Sequence, residues 1–585
     1  MALPPPFRPW LTVVCVLPVL MDQIPGVLQK CIYDEVQAEV RKVRLEPATS
    51  QGRGFYSQRL ETNPRVGASP QPIRIHTWIT RESDNLPEAE RRRVMMAVEE
   101  GVDKVSSLLS VPRIVGPLLL SRDISKYCKF VWSNSGGANS NRCGRANVNY
   151  RNETCLDVTI PDQHLSGCYI YPQPDSPYRT VLRAEGSGVS DTDFLLYLHI
   201  GSTHKCRAEP DVWAYAAHCQ TDTDGRPVAA VVVICRDRLT QQTYKHQATV
   251  QMVIHELFHV LGFSKDLFPT WTDCSTHTHG GAKCSPQKTV VRPDGSGQLR
   301  IFSPSVISVL QKHLRSSEPE LGGLLENLHV SPGRGSSHWE ALLLQGSIMT
   351  AVLEESSTVR IDPLTLAAFQ DTGWYSVDLG RAQNLVWGQG EGAQFGSVSS
   401  CQNRTSAFFC SGSGLGCHFL HLHKGECQTD PYLEGCRIYK PLKNASECWK
   451  KENSVRSPGD KLRVEVWGRD SRCFFSNLSR HTHFPVDSSS VGGQCYRHRC
   501  TGPNSYQIQV SGSDWVDCPA GGTVQISGYQ GVVFCPDRRL CLYPDVTPPS
   551  DDEDTASHTS PVQGGTWSTP LTNPTMVSVV ILLLL

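Results

Sequence analysis

The 585-residue sequence predicts an α+β domain built around one buried helix, followed by a cysteine-rich domain that is mainly β or irregular. Three observations carry this. Two apolar strand-like runs, Phe194–Ile200 and Val228–Ile234, precede a helical segment, Gln247–Gly262, whose flanks are almost all apolar. A second helical pattern, Pro87–Leu109, places Val94, Val98, Val102 and Val105 on one face. Finally, the stretch Cys401–Cys541 holds twelve of the 23 cysteines, the mark of a disulfide-stapled domain folded in an oxidising compartment.

The elements follow in order. Trp10–Leu20 is an apolar run behind Arg8 and has the layout of a secretory signal peptide, assigned to residues 1–26. Residues 27–71 form a pro-segment or N-terminal arm without a strong core pattern. Pro72–Thr80 alternates as a strand, and the basic triplet Arg91–Arg93 is the solvated face of the helix that follows. One unit is expected over 72–265 and another over 266–400, the latter with helices near Ser305–Leu314 and Pro363–Thr372. The cysteine-rich domain spans 401–543. Residues 544–575 are rich in Pro, Ser, Thr and Asp and read as a disordered stalk. The tail 576–585 is apolar but only ten residues long, against the ~20 that span a bilayer. It reads as a lipid-anchor signal or as an incomplete transmembrane span, and predicts membrane attachment.

Charge narrows the partners. Lys plus Arg is 56 and Asp plus Glu is 57, a net charge of −1, which excludes a nucleic-acid-binding surface spread over the whole chain. Sequons at Asn152, Asn403, Asn444 and Asn477 add four candidate glycosylation sites and favour the secretory route, ending at the cell surface or outside the cell.

The chemistry centres on His255-Glu-Leu-Phe-His259. On a helix, residues four apart share a face, so His255 and His259 can offer two imidazoles to one metal while Glu256 stands beside them as general base. The alternative, a buried His-Glu-His cluster without a metal, leaves polar groups that each cost about 1–3 kcal/mol if unpaired. Zinc needs a third protein ligand and an open position. Asp266, His277, His279, His313, His329 and His338 are the candidates, and spacing alone does not choose among them.

Phe258-His-Val-Leu-Gly-Phe-Ser264, then a long insertion, then Ser337-His-Trp-Glu340 and Met349-Thr350, resembles the leishmanolysin family of zinc metallopeptidases. Ala214-Tyr-Ala-Ala-His-Cys219 and Asp371-Thr-Gly-Trp-Tyr375 agree. The resemblance covers about residues 28–540. It implies a zincin or metzincin-like catalytic domain, with the zinc helix in 72–265 and the rest of the site in 266–400. It selects His338 as third ligand and Met349 as the Met-turn residue, and it implies one Zn2+ per chain and a protein or peptide substrate. It also implies a cysteine switch. Cys31, in Cys-Ile-Tyr-Asp, stands where the family has Cys-Ile-His-Asp, with Tyr33 in place of the His. Setting aside Cys15 in the leader leaves 22 cysteines, an even number, so a free Cys31 demands a second unpaired cysteine.

The remaining histidines are read as structural: His218, His481 and His483, and also His418, His421 and His423, for which a second metal site is the minor alternative. The sequence therefore predicts a zinc-dependent endopeptidase, the alternative being a catalytically silent metal-binding adhesion protein.

Overall fold

Three strands that alternate between two apolar faces build the centre of the molecule. The computed structural model describes residues 29–45, 69–273, 285–286 and 290–549, except 82, 84–85, 134–135, 240–243, 329, 331–334, 404–405, 457–463, 481–490 and 538–539. The leader, stalk residues 550–575 and the tail lie outside the described residues. The start of the expected disordered stalk is instead packed, with Val546 buried in the core and the Asp545 carboxylate accepting from the Asn384 amide and side chain, contacts that composition does not reveal. Five strands, β1 (Val43–Arg44), β2 (Ile75–Ile79), β3 (Phe194–Gly201), β4 (Ala214–Thr221) and β5 (Pro227–Cys235), form one sheet in the order β1-β4-β5-β3-β2. β3 runs parallel to both β2 and β5, while β4 runs antiparallel to β5. β1 adds only two residues to β4, Val43 opposite Gln220 and Arg44 opposite Thr221.

Alternate residues of these strands enter different cores. Phe194, Leu196, Leu198, Ile200, Val232 and Ile234 pack on one face, and Leu195, Tyr197, Val231 and Val233 on the other. Burial on both faces is why β3 and β5 read as continuous apolar runs rather than alternating ones. Helices α2 (Glu88–Leu108) and α3 (His246–Leu261) cover the first face. On α2, Val94, Val98, Val102 and Val105 are all buried. Gly101 faces α3 so closely that a Cβ there would stand 2.8 Å from Val253 Cγ1. The second face carries α1 (Tyr33–Ala38) of the N-terminal arm, through Ile32 and Val36.

Two expectations are corrected. The single strand expected over Pro72–Thr80 is two: Gln71–Pro72 pairs with Leu109–Val111, and only Ile75–Ile79 joins the central sheet. The break falls at Arg74, whose amide and guanidinium both bind the buried Asp193 carboxylate, at 2.9–3.0 Å. The arm, read as lacking a core pattern, buries Ile32, Tyr33, Val36 and Gln37. A six-residue helix is too short to display a period.

Beyond α3, α4 (Pro304–Leu314) and α5 (Pro363–Asp371) pack on the same core. Asp371 Oδ2 accepts from the Ser305 and Val306 amides and so satisfies the exposed donors at the start of α4. The twelve cysteines of the C-terminal segment form six bonds among themselves: 401–436, 410–427, 417–473, 448–495, 500–541 and 518–535. One of them, 417–473, ties a three-stranded sheet (Leu415–Cys417, Lys424–Thr429, Arg437–Pro441) to a six-stranded one that includes Ser471–Ser476 and Gly492–Gly502. The fully buried Trp387 meets Phe395, Phe408, Phe409 and Phe419 at 5.1–5.8 Å, so this segment shares apolar contacts with what precedes it.

Upstream, Cys128–Cys143, Cys155–Cys219 and Cys206–Cys235 are bonded. Among the described residues Cys31 and Cys168 are free. Cys168 is thus the second unpaired thiol that the even count requires of a free Cys31. Cys15, Cys274 and Cys284 lie outside the described residues. No helix among the described residues is long and apolar enough to cross a membrane.

Candidate metal centre

α3 brings His255 and His259 to one face, and the end of the helix fixes the second of them. The chain turns at Gly262, and the Phe263 carbonyl comes back to 2.9 Å from His259 Nδ1. His255 Nδ1 meets the Ile348 carbonyl at 2.6 Å. Both Nδ1 atoms therefore carry the proton, and both Nε2 atoms present lone pairs. His338 joins them from 79 residues downstream, with Ser336 Oγ 3.4 Å from its Nδ1. The His259 Nε2 atom lies 3.1 Å from His255 Nε2 and 3.1 Å from His338 Nε2.

Three imidazole lone pairs at this separation repel one another unless a cation lies between them. A tetrahedral zinc with bonds of 2.0–2.1 Å holds its nitrogen ligands about 3.3 Å apart, close to the spacing seen. Burial, with the neighbouring imidazoles, pushes the proton affinity of His259 well below the ordinary 6.5 and that of His255 down to about 3; burial and the Lys265 charge push His338 down to about 3. All three are thus held neutral, the form that binds metal. The donor set fits zinc.

Glu256 stands beside them, 2 % exposed. Burial pushes its carboxyl up to about 8, and Oε2 has no hydrogen-bond partner among the described residues. Cys31 fills the remaining side. Its Sγ lies 3.4 Å from His259 Nε2 and donates to Glu256 Oε1 at 3.8 Å. The ligand atoms of Cys31, His255, His259 and His338 all lie within 4.8 Å of one another. Burial and the Glu256 charge raise the thiol's hold on its proton, and the Tyr33 amide donating to Sγ opposes them. A bound divalent cation reverses that balance, because a coordinating thiol is deprotonated.

The arm around Cys31 is anchored at several points. The Cys31 amide donates to the Ala351 carbonyl, and Gln29–Lys30 pairs with Val352–Leu353. The Tyr33 ring stacks on His259 with centroids 4.2 Å apart, and its hydroxyl lies 3.0 Å from both His218 Nδ1 and Gln37 Oε1. The Gln37 side-chain amide donates to the His218 carbonyl and accepts from the His218 amide, at 3.2 and 2.9 Å. Asp34 binds Ser337 and Lys265.

Met349 is fully buried in the turn that follows Ile348, the partner of His255. The other candidate ligands are elsewhere. Asp266 is paired with Lys42 of the arm at 2.8 Å, and His313 Nε2 bonds the Trp387 carbonyl. His277, His279, His329, His481 and His483 lie outside the described residues. His421 Nδ1 bonds the Cys473 carbonyl and His423 Nδ1 bonds Ser446 Oγ. Neither belongs to a described cluster of three ligand groups. The other described cluster, His498 with Cys500 and Cys541, contains a disulfide. Asn152, Asn403 and Asn444 are exposed, and Asn477 is half-buried with Oδ1 accepting from the Val532 amide. The sequence reading quoted Tyr33, Asp34 and Ser337 within its motifs but gave them no contact of their own, and it missed Gln37 and Lys265. Their one signal was nearness in sequence to Cys31, His259 and His338.

A family model described as leishmanolysin matches residues 182–542. The chain is 54% identical over 548 residues to the ciliated left-right organizer metallopeptidase of Danio rerio, covering 93% of this chain and 86% of that one. Its namesake in Homo sapiens is 39% identical over 589 residues, covering 88% and 73%. The leishmanolysin-like peptidase of Drosophila melanogaster is 25% identical over 482 residues, covering 66% and 69%. A match over more than half the chain and relatives of this identity and coverage mean that the chain belongs to the leishmanolysin family of zinc metallopeptidases and is a metalloendopeptidase.

Proposed function

We propose that the chain is a secreted or surface-bound endopeptidase of metzincin-like fold that takes one zinc on His255, His259 and His338 and is held latent by its own arm. The reading rests on one observation: three Nε2 lone pairs converge while two of the three Nδ1 atoms are tied to carbonyls, beside an unpartnered Glu256 oxygen. Zinc in this position would supply Lewis acidity to a peptide carbonyl and to a neighbouring water. Glu256 takes a proton from that water as its oxygen bonds the carbonyl carbon. The same carboxyl then gives the proton to the amine as the carbon–nitrogen bond breaks.

The arm supports the reading by imitation. Gln37 satisfies both backbone groups of His218 on β4 with one side-chain amide, as a substrate peptide group pairing with that strand would. Cys31 occupies the position a catalytic water would need. The nine described disulfides fit an extracellular location. We carry over the domain division (72–265 and 266–400 catalytic, 401–543 cysteine-rich), the Met-turn role of Met349, the four glycosylation sites and membrane attachment by the tail. From the names of its relatives we carry over a role in left–right organisation.

Glu256→Ala should abolish peptide cleavage by the activated chain while about one zinc stays bound. His338→Ala should lose the zinc. Loss of metal in the Glu256 variant, or full cleavage by either, refutes the assignment. Rescue of left–right asymmetry in embryos by the wild-type chain and equally by Glu256→Ala would refute a catalytic role in development.

A further inference from the structure

Three donors converge on one carboxylate beside His338. Asp34 Oδ1 accepts from Ser337 Oγ at 2.5 Å. Oδ2 accepts from the Ser337 amide at 3.0 Å and pairs with Lys265 Nζ at 3.2 Å. All three donors belong to the body of the molecule and none to the arm. They are organised without Asp34: the Lys265 amide donates to Ser337 Oγ at 2.9 Å, which occupies a lone pair of that oxygen and turns its proton toward the carboxylate. Ser337 is fully buried. When the arm leaves, its amide and hydroxyl lose their acceptor, a loss that a new carboxylate repairs in full and a neutral amide only in part.

We propose that Lys265 and Ser337 form an acid-recognising subsite, filled by Asp34 in the latent chain and by an aspartate or glutamate side chain of the peptide substrate once the arm has gone. The inference rests on the peptidase reading above and adds a substrate class to it. The neighbouring Asp266 takes Lys42 of the arm, so the consecutive residues Lys265 and Asp266 sort the arm's charges by sign.

The test uses the zinc-loaded full chain, activated by limited trypsin digestion. It measures kcat/KM on C-terminally amidated peptides in Glu/Gln pairs scanned through each position around the cut. Wild type should prefer Glu by about ten-fold at one position. Lys265→Met should lower that ratio several-fold, leaving only the weaker preference due to Ser337, and Lys265→Arg should keep most of it. Equal cleavage of both members of every pair overturns the subsite while leaving the peptidase intact. Cleavage of no peptide at all overturns the peptidase reading, and this inference with it. A preference seen only when the peptides carry a free C-terminal carboxylate overturns the side-chain assignment. In the undigested chain, Asp34→Asn should speed alkylation of Cys31 about ten-fold. A wild-type rate there also overturns the proposal, and this readout stands even if a Lys265 variant folds poorly.

Discussion

Replacing Tyr33 by Ala should open the latent form even though the thiol is untouched. Tyr33 is fully buried, stacked on His259 at 4.2 Å and hydrogen-bonded at 3.0 Å to His218 Nδ1 and Gln37. Truncating a buried aromatic side chain costs about 3–5 kcal/mol. The cost falls on the docked state of the arm, since an undocked arm leaves Tyr33 in water in either case. At about 1.4 kcal/mol per factor of ten, the undocked population should rise by roughly two to three and a half powers of ten. Tyr33→Phe keeps the stacking and loses only the hydroxyl, worth about 1–2 kcal/mol and about a ten-fold rise. The readout is the rate at which iodoacetamide labels Cys31, followed by peptide mass spectrometry so that the buried Cys168 does not confuse the count. When closing outruns labelling, the rate is proportional to the undocked population. Circular dichroism and zinc content show whether the rest of the chain stays folded. A folded, zinc-loaded Tyr33→Ala chain that labels as slowly as wild type refutes the claim that packing holds the arm.

Gly101→Ala should destabilise the chain by about 1–3 kcal/mol, because the new methyl stands 2.8 Å from Val253 Cγ1 on the helix that carries His255. Thermal unfolding checks this, and an unchanged melting temperature would mean that the two helices separate freely. Removing Cys155–Cys219, which closes a span of 64 residues, should cost about 4 kcal/mol, read from urea unfolding of the Cys155→Ala, Cys219→Ala double variant. His164 is buried with Nδ1 2.9 Å from the Tyr197 hydroxyl, and burial pushes its pKa down to about 4. Its stabilisation is present above the ordinary 6.5 and is lost as pH falls toward 4, because the unfolded chain takes up the proton first. That amounts to about 3 kcal/mol over the interval, and His164→Gln should flatten the stability profile there by up to that amount.

Periodicity reached the parts of the site that lie within one element. His255, Glu256 and His259 share a sixteen-residue helix, and four-residue spacing is a local property of the chain. Val94, Val98, Val102 and Val105 were legible for the same reason. His338 was not, because nothing local ties a residue to a partner 79 positions away, and only the resemblance to a family selected it. The arm was least legible of all. Its helix has six residues, and its buried Tyr33 and Gln37 carry polar groups whose partners, His218 and its backbone, lie about 180 residues downstream. The strand expected over Pro72–Thr80 failed differently: extended structure was found in both halves, but a sequence pattern is blind to a side chain such as Arg74 that anchors on Asp193, just ahead of another strand.

The arm's contacts rank what holds it. The ion pairs Arg41–Asp123, Lys42–Asp266 and Lys205–Glu39 each have a partner with a side chain at least a third exposed, and such pairs contribute about 0–1 kcal/mol. Tyr33 is built into the core on one face of the sheet, and Ile32 and Val36 into the core on the other, each of these side chains worth about 1.5–3 kcal/mol of apolar burial. Apolar packing therefore outweighs the surface charges. In the proposed zinc-loaded form the thiol would add a third and separate hold, acting through the metal. Oxidation of Cys31 removes only that hold, and a reagent reaches the half-buried sulfur efficiently only after the packed residues have moved. Removal of zinc likewise leaves the packing in place. Durable release thus requires that the arm be severed or that Tyr33 and Val36 be drawn out together. A protease that cuts the arm and a partner that binds its apolar face are two chemistries able to do so, whereas a redox change at Cys31 alone would leave the packing of Tyr33, Ile32 and Val36 in place.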